Sequence, residues 1–102
     1  MSSVKEEFAT YMKTFMDFER EVLVTVQNGE NRLSSVLTVT DWCWNSGILT
    51  VTTLQQGMEL DWTIHCGGLT REGSHFVLEE IGGGQIMFFF YDLFSKEDPY
   101  WE

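Results

Sequence analysis

Proline and cysteine are scarce in this chain: one proline, Pro99, and two cysteines, Cys43 and Cys66. With 43% hydrophobic and 15% aromatic residues, the near-absence of proline excludes a linker or a disordered chain, because apolar surface is ample for a core. Two cysteines on separate segments make neither a metal motif nor a disulfide framework. No Asn-x-Ser/Thr site with a permissive middle residue occurs either.

Basic residues are almost as scarce, six Lys and Arg against sixteen Asp and Glu, for a formal charge of −10. Such a surface repels phosphate backbones and anionic headgroups, so neither direct nucleic-acid binding nor membrane binding is expected. The imbalance is uneven. Residues 1–32 hold six acids and four bases, whereas residues 33–102 hold ten acids and only Arg71 and Lys96. Long apolar runs are missing too: the longest, residues 86–91, is far below the roughly 20 residues that span a bilayer. With no charged-then-apolar leader at the start, a soluble cytoplasmic protein is the expectation.

What is present is enough for one domain, since 102 residues are too few for two independent cores. Val4, Phe8, Tyr11, Met12, Phe15 and Phe18 form one apolar stripe at helical spacing, and Ser3 with Glu6 fits a capping box at its start. Lys5, Glu6, Glu7, Lys13 and Asp17 fall off that stripe. The helix therefore needs a sheet to lie on.

From Glu21 onward the period switches to two, and breaks at Asn28-Gly29, Asn45-Ser46-Gly47, Gln56-Gly57, Gly67-Gly68 with Gly73, and Gly82-Gly83-Gly84 delimit six strands. They are expected near 21–27, 33–44, 48–55, 58–66, 74–81 and 85–94, with connections short enough to require antiparallel neighbours. The expected fold class is α+β: one N-terminal amphipathic helix packed on a curved, mostly antiparallel six-stranded sheet, with partial closure into a barrel as a variant. Residues 1–94 form the domain and residues 95–102 an acidic, aromatic tail.

A loop at residues 67–73 pairs Cys66 with Ser74. Met58, Leu60, Trp62, Ile64 and Cys66 then face the core, Trp62 meets Leu78 and Ile64 meets Phe76 inside, and His65 meets His75 and Asp61 meets Glu79 outside. Pairing Ile81 with Gln85 through the glycine turn sends Ile86, Phe88 and Phe90 inward. Met87, Phe89, Tyr91 and Leu93 then point outward and, with Val77 and Ile81, make an apolar patch large enough to need a cover. A second copy of the chain, another protein, or the chain itself would serve, and Tyr100 and Trp101 in the tail are aromatic anchors for either outcome.

The other constellations are weaker. Glu59, Asp61, Glu79 and Glu80 form an acidic face, either a solvated surface or a docking site for a basic partner. His65 and His75 are two ligands where a tight zinc site needs three or four, so no metal is expected. Cys43 and Cys66 read as buried free thiols with no base beside them, Gly82-Gly83-Gly84 as a turn rather than a phosphate cradle, and no cofactor is implied. Trp42 and Trp44, on the face of Val36, Thr38 and Thr40, would line a cavity if the sheet curled around one.

No family pattern is recognisable. The functional expectation is a small non-enzymatic interaction protein, an inhibitor or adaptor that docks its negative surface on a basic partner protein. A homodimer through the outer face of residues 85–94 is a further expectation. Phage-type inhibitors of host nucleic-acid machinery and toxin-neutralising immunity proteins share this size and charge, and nothing more specific. The alternative is a module holding an apolar ligand inside a curled sheet.

Overall fold

Ser3 starts the helix α1 (Val4–Asp17) with a complete capping box in the computed structural model, which describes residues 3–73 and 75–90. The Glu6 N–H donates to Ser3 Oγ at 3.1 Å, and the Ser3 N–H donates to Glu6 Oε1 at 3.0 Å. Such a cap contributes about 1 kcal/mol and fixes where the stripe begins. Glu19, at φ 53°, turns the chain out of the helix, and the Arg20 N–H closes the end on the Phe15 carbonyl at 2.9 Å. Phe8, Met12 and Phe15 are buried, each burial worth roughly 1.5 to 3 kcal/mol. Phe18, expected on the stripe, is the C-cap instead and stands 68% exposed.

The strands are β1 (Glu21–Asn28), β2 (Asn31–Asn45), β3 (Ile48–Gln55), β4 (Met58–Glu72), β5 (His75–Glu80) and β6 (Gln85–Phe89). Consecutive strands pair antiparallel and β1 also pairs with β6, Val24 opposite Phe88, so the sheet closes on itself. The α+β expectation holds, with the helix packed over a ring of six strands. Inside lie Val22, Val24, Leu37, Val39, Leu49, Val51, Ile64, Phe76, Leu78, Ile86 and Phe88, with Phe8, Met12, Phe15 and Phe90 completing the core.

Two bulges correct the expected faces. β2 shifts register between Val39 and Asp41, where Thr40 is the extra residue. A bulge changes which parity faces inward, so Trp42 and Trp44 pack on the core on the side of Leu37 and Val39, and Val36 is left 47% exposed on the other side. β4 carries the second bulge between Cys66 and Gly68. Residues 67–72, expected as a loop, continue the strand, and the turn falls at Gly73, φ 64°.

The physical reason is the missing side chain. A Cβ on Gly67 would stand 3.3 Å from Ile81 Cγ1 and 3.5 Å from the Glu79 carbonyl oxygen, so glycine lets β5 come alongside where a loop was expected. β4 thus serves two partners in turn, β3 along residues 58–65 and β5 along residues 66–72. The expected pairs change accordingly. Trp62 faces Val51, Ile64 faces Leu49, His65 faces Ile48 and Asp61 faces Thr52, while Phe76 faces Arg71, Leu78 faces Leu69 and Glu79 faces Gly68.

At β6 Gln85 pairs with Glu79, not Ile81, a shift of two that leaves the faces as expected. Ile86, Phe88 and Phe90 are buried inward, and Met87 and Phe89 point outward.

Arg71 fastens the helix to β4. Its guanidinium donates to Glu7 Oε1 at 3.4 Å and to the Tyr11 hydroxyl at 3.2 Å, and lies over the Tyr11 and Phe76 rings at 5.4 and 5.6 Å. Phe8→Ala is expected to cost about 3 to 5 kcal/mol in denaturant unfolding followed by tryptophan fluorescence. Phe18→Ala should stay within about 0.5 kcal/mol of the parent, which separates the observed stripe from the expected one.

Candidate functional site

The ring has two unlike ends. At one, α1 and the rings it buries form a plug. At the other, the β1–β2 and β3–β4 hairpins project past the neighbouring strands, because β5 and β6 stop at Glu80 and start at Gln85. Leu33, Met58 and Leu60 are 70%, 63% and 46% exposed there. Met58 and Leu60 have the inward parity expected of them, yet they lie toward the rim and stay exposed.

Between these ends the buried side chains pack into one core cluster among the described residues. The void bounded by Val24, Leu37, Val51, Thr53, Trp62, Ile64 and Phe88 measures ≈ 10 Å³, no more than the space one water needs. Its buried polar lining is satisfied, since Trp62 Nε1 donates to Thr53 Oγ1 at 2.8 Å. A ligand larger than a water would have to displace side chains from this void.

The acids expected to share one face are divided between two places. Glu59 and Asp61 lie exposed on the outer side of β4 opposite Leu54 and Thr52, and Asp61 Oδ1 accepts from Thr52 Oγ1 at 2.9 Å. Glu80 pairs with Cys66, five residues further along β4, which puts it about 16 Å from Asp61 at 3.3 Å per residue. The expected opposition of Asp61 and Glu79 therefore does not form, and its like-charge cost is not incurred. None of Glu59, Asp61, Glu79 and Glu80 is in an ion pair among the described residues. The nearest basic side chain in sequence, Arg71, is engaged by α1.

Register also separates the histidines. His75 Nε2 lies 3.8 Å from Glu72 Oε1 and its ring stacks on Phe89 at 4.5 Å, while His65 stands exposed opposite Ile48. Among the described residues no three His, Cys, Asp or Glu side chains converge. Both cysteines are free thiols; Cys43, expected to be buried, is exposed on the outward side of β2, and Cys66 is half-buried with Sγ donating to the Gly68 carbonyl at 3.1 Å. Burial pushes the Cys66 thiol above its ordinary pKa, with the nearby Glu79 charge acting in the same direction.

On the outer face of β6 the surroundings of Met87 and Phe89 are partly closed. Met87 is half-buried between Thr25 and Val77, themselves 5% and 4% exposed, and Phe89 is half-buried between Leu23 and His75. Ile81, expected in the same patch, is 71% exposed beside Gly67. Tyr91, Leu93, Tyr100 and Trp101, like the tail 95–102, lie outside the described residues.

Sequence reasoning missed two features of this end of the ring. One is the exposure of Met58 and Leu60, which depends on how far β4 outruns β5. The other is the main-chain edge that the same overhang leaves along residues 59–63. The Gly67-Gly68 pair inside an alternating run was the available signal, because paired glycines in a strand mark a bulge at least as readily as a turn.

No protein-family model matches the chain, and neither a curated protein nor a solved structure does.

The thiols give a direct check on the local geometry. At pH 8 iodoacetamide should modify Cys43 at least about tenfold faster than Cys66, because only the thiolate reacts and burial holds Cys66 protonated. Raising the pH should narrow the gap, as read by mass spectrometry of the peptides. Equal rates at pH 8 would contradict the half-buried placement of Cys66.

Proposed function

We propose that the protein is a small acidic interaction module, without catalytic activity of its own, that docks its negative surface on a basic partner protein and acts as an inhibitor or adaptor. The observation that carries this reading is the exposed pair Glu59 and Asp61 on the projecting β3–β4 hairpin, beside the apolar side chains of Met58 and Leu60. Unneutralised carboxylates speed encounter with a cationic surface, and adjacent apolar groups supply the short-range attraction that keeps the complex together. Glu79 and Glu80 extend the negative field across the end of β5.

The net charge of −10 supports steering as the mechanism. Complementary charge raises association rates from the ~10⁵–10⁶ M⁻¹s⁻¹ of neutral partners toward ~10⁸–10⁹ M⁻¹s⁻¹ at low salt. A dimer through the outer face of β6, with Met87 and Phe89 at its centre, belongs to the same proposal as a way of presenting two acidic ends at once.

Reversal of Glu59, Asp61, Glu79 and Glu80 to Lys should abolish partner capture in an affinity pull-down while circular dichroism and melting temperature stay close to the parent. Capture by the parent should fall between about 50 mM and 500 mM salt, as the screening length shrinks from roughly 14 Å to roughly 4 Å and long-range attraction is lost. Undiminished capture by the reversed protein would overturn the reading.

A further inference from the structure

Closing a ring from strands of unequal length leaves main-chain edges without partners where one strand outruns its neighbour. Two such edges arise at the end away from the helix. β2 pairs with β3 only from Thr38 onward, and β4 pairs with β5 only from Cys66 onward. At the first, the Gln55 side chain reaches across and donates to the Val36 carbonyl at 3.2 Å, capping the edge. At the second, the last bond is from the Ile81 N–H to the His65 carbonyl at 2.8 Å, and it fixes which way the strand's groups point.

Because His65 faces β5, Thr63, Asp61 and Glu59 direct their N–H and carbonyl groups to that same side by strand alternation. No strand among the described residues pairs with them there. A Cβ on Gly82 or Gly83, in the turn that flanks this edge, would meet nothing within 4 Å among the described residues.

We propose that the free edge of β4, residues 59–63, receives an extended segment of a partner protein as an added strand, and that this segment alternates apolar and basic side chains. Strand addition is a general mode of peptide recognition in which main-chain bonds hold the segment and alternate side chains select it. The selection rules follow from the two faces of β4. On the inner side, Met58 and Leu60 are 63% and 46% exposed, so the inward side chains of the added strand must be apolar. On the outer side, Glu59 and Asp61 stand directly opposite its outward side chains, which must be Lys or Arg.

The same carboxylates argue against a second copy as the occupant. Two β4 edges paired antiparallel would bring Glu59 and Asp61 of one chain against those of the other, and like charges opposed across a sheet repel. The edge is protected against self-pairing and left receptive to a cationic strand. This inference rests on the basic-partner reading above and gives it a site, a main-chain register and a sequence rule.

The test uses the full chain and three synthetic peptides of about seven residues, the length that spans residues 58–64. One alternates lysine and valine; its isomer has the same residues in two blocks; the third is the alternating peptide N-methylated along the edge that would pair. The alternating peptide should bind saturably and protect the Asp61 and Thr63 amides from hydrogen exchange. The blocked isomer and the N-methylated peptide should bind at least about tenfold more weakly, the loss expected for a little over 1 kcal/mol of main-chain bonding. Thr63→Pro, which removes an N–H that no ladder among the described residues uses, should weaken the alternating peptide by a similar factor.

Equal binding of all three peptides would mean that charge alone attracts them, which overturns strand addition while leaving the acidic docking surface standing. Absence of binding by the alternating peptide overturns the proposal as well. So would concentration-dependent protection of the Asp61 and Thr63 amides without peptide, because it would assign the edge to a second copy. If charge reversal abolishes partner capture but Thr63→Pro and N-methylation change nothing, the edge is excluded and the broader reading survives.

Discussion

Phe8 meets the rings of Phe88, Phe76, Trp44 and Phe90 edge to face, with centroids 5.3, 5.4, 6.0 and 6.1 Å away. Through this one side chain α1 touches β2, β5, β6 and the residue that follows β6. Edge-to-face pairs add roughly 0.5 to 1.5 kcal/mol each beyond the area they bury. Their larger effect here is geometric. A ring of six strands open at both ends would expose its interior to water, and the helix closes one end by placing Phe8, Met12 and Phe15 into it. The other end has no such plug among the described residues, and it is the end to which the proposed docking surface belongs.

How β4 divides its length is the second organising feature. Its first half leans on β3 and its second on β5, with Gly67 at the crossover. This division produces the overhang, and the overhang produces both the exposed apolar pair and the edge. Charge placement complements it. Arg71, the basic residue of the strand, serves the plugged end, and the acids Glu59 and Asp61 occupy the overhang. Along this one strand the uncompensated acids lie at the overhang, while at the plugged end Glu72 stands beside Arg71.

The helix and the strand sequence were legible in the residues alone, because Ser3, Glu6, Phe8, Met12 and Phe15 report a local period that packing only reinforces. The inward set Ile86, Phe88 and Phe90 was legible for a similar reason, since an error of two in register preserves every face. Bulges were not. Thr40 is an ordinary strand residue, and nothing in the sequence around it announces that Trp42 and Trp44 change sides. Gly67-Gly68 announced something, but a turn and a bulge both accept glycine, and the choice between them was made by the close approach of Ile81 and Glu79 far along the chain. The acidic site inherited that ambiguity: its residues were identified, and their neighbours were not, because cross-strand neighbours depend on register and register depended on the bulge.

The seam between β1 and β6 has a consequence for how the molecule comes to be folded. Leu23 pairs with Phe89, so the contact that completes the ring joins the first strand to the last. Every other pairing links strands adjacent in the chain and can form as hairpins in order of synthesis, at small loop-closure cost. The seam alone is non-local, and non-local pairings are the slow steps of β-rich domains. Until β6 has been made, β1 holds an unpaired edge rich in Val and Leu, which is an aggregation hazard. Glu21 at the head of that strand and the acids around it give the nascent chain a repulsive charge over the interval before the last strand arrives.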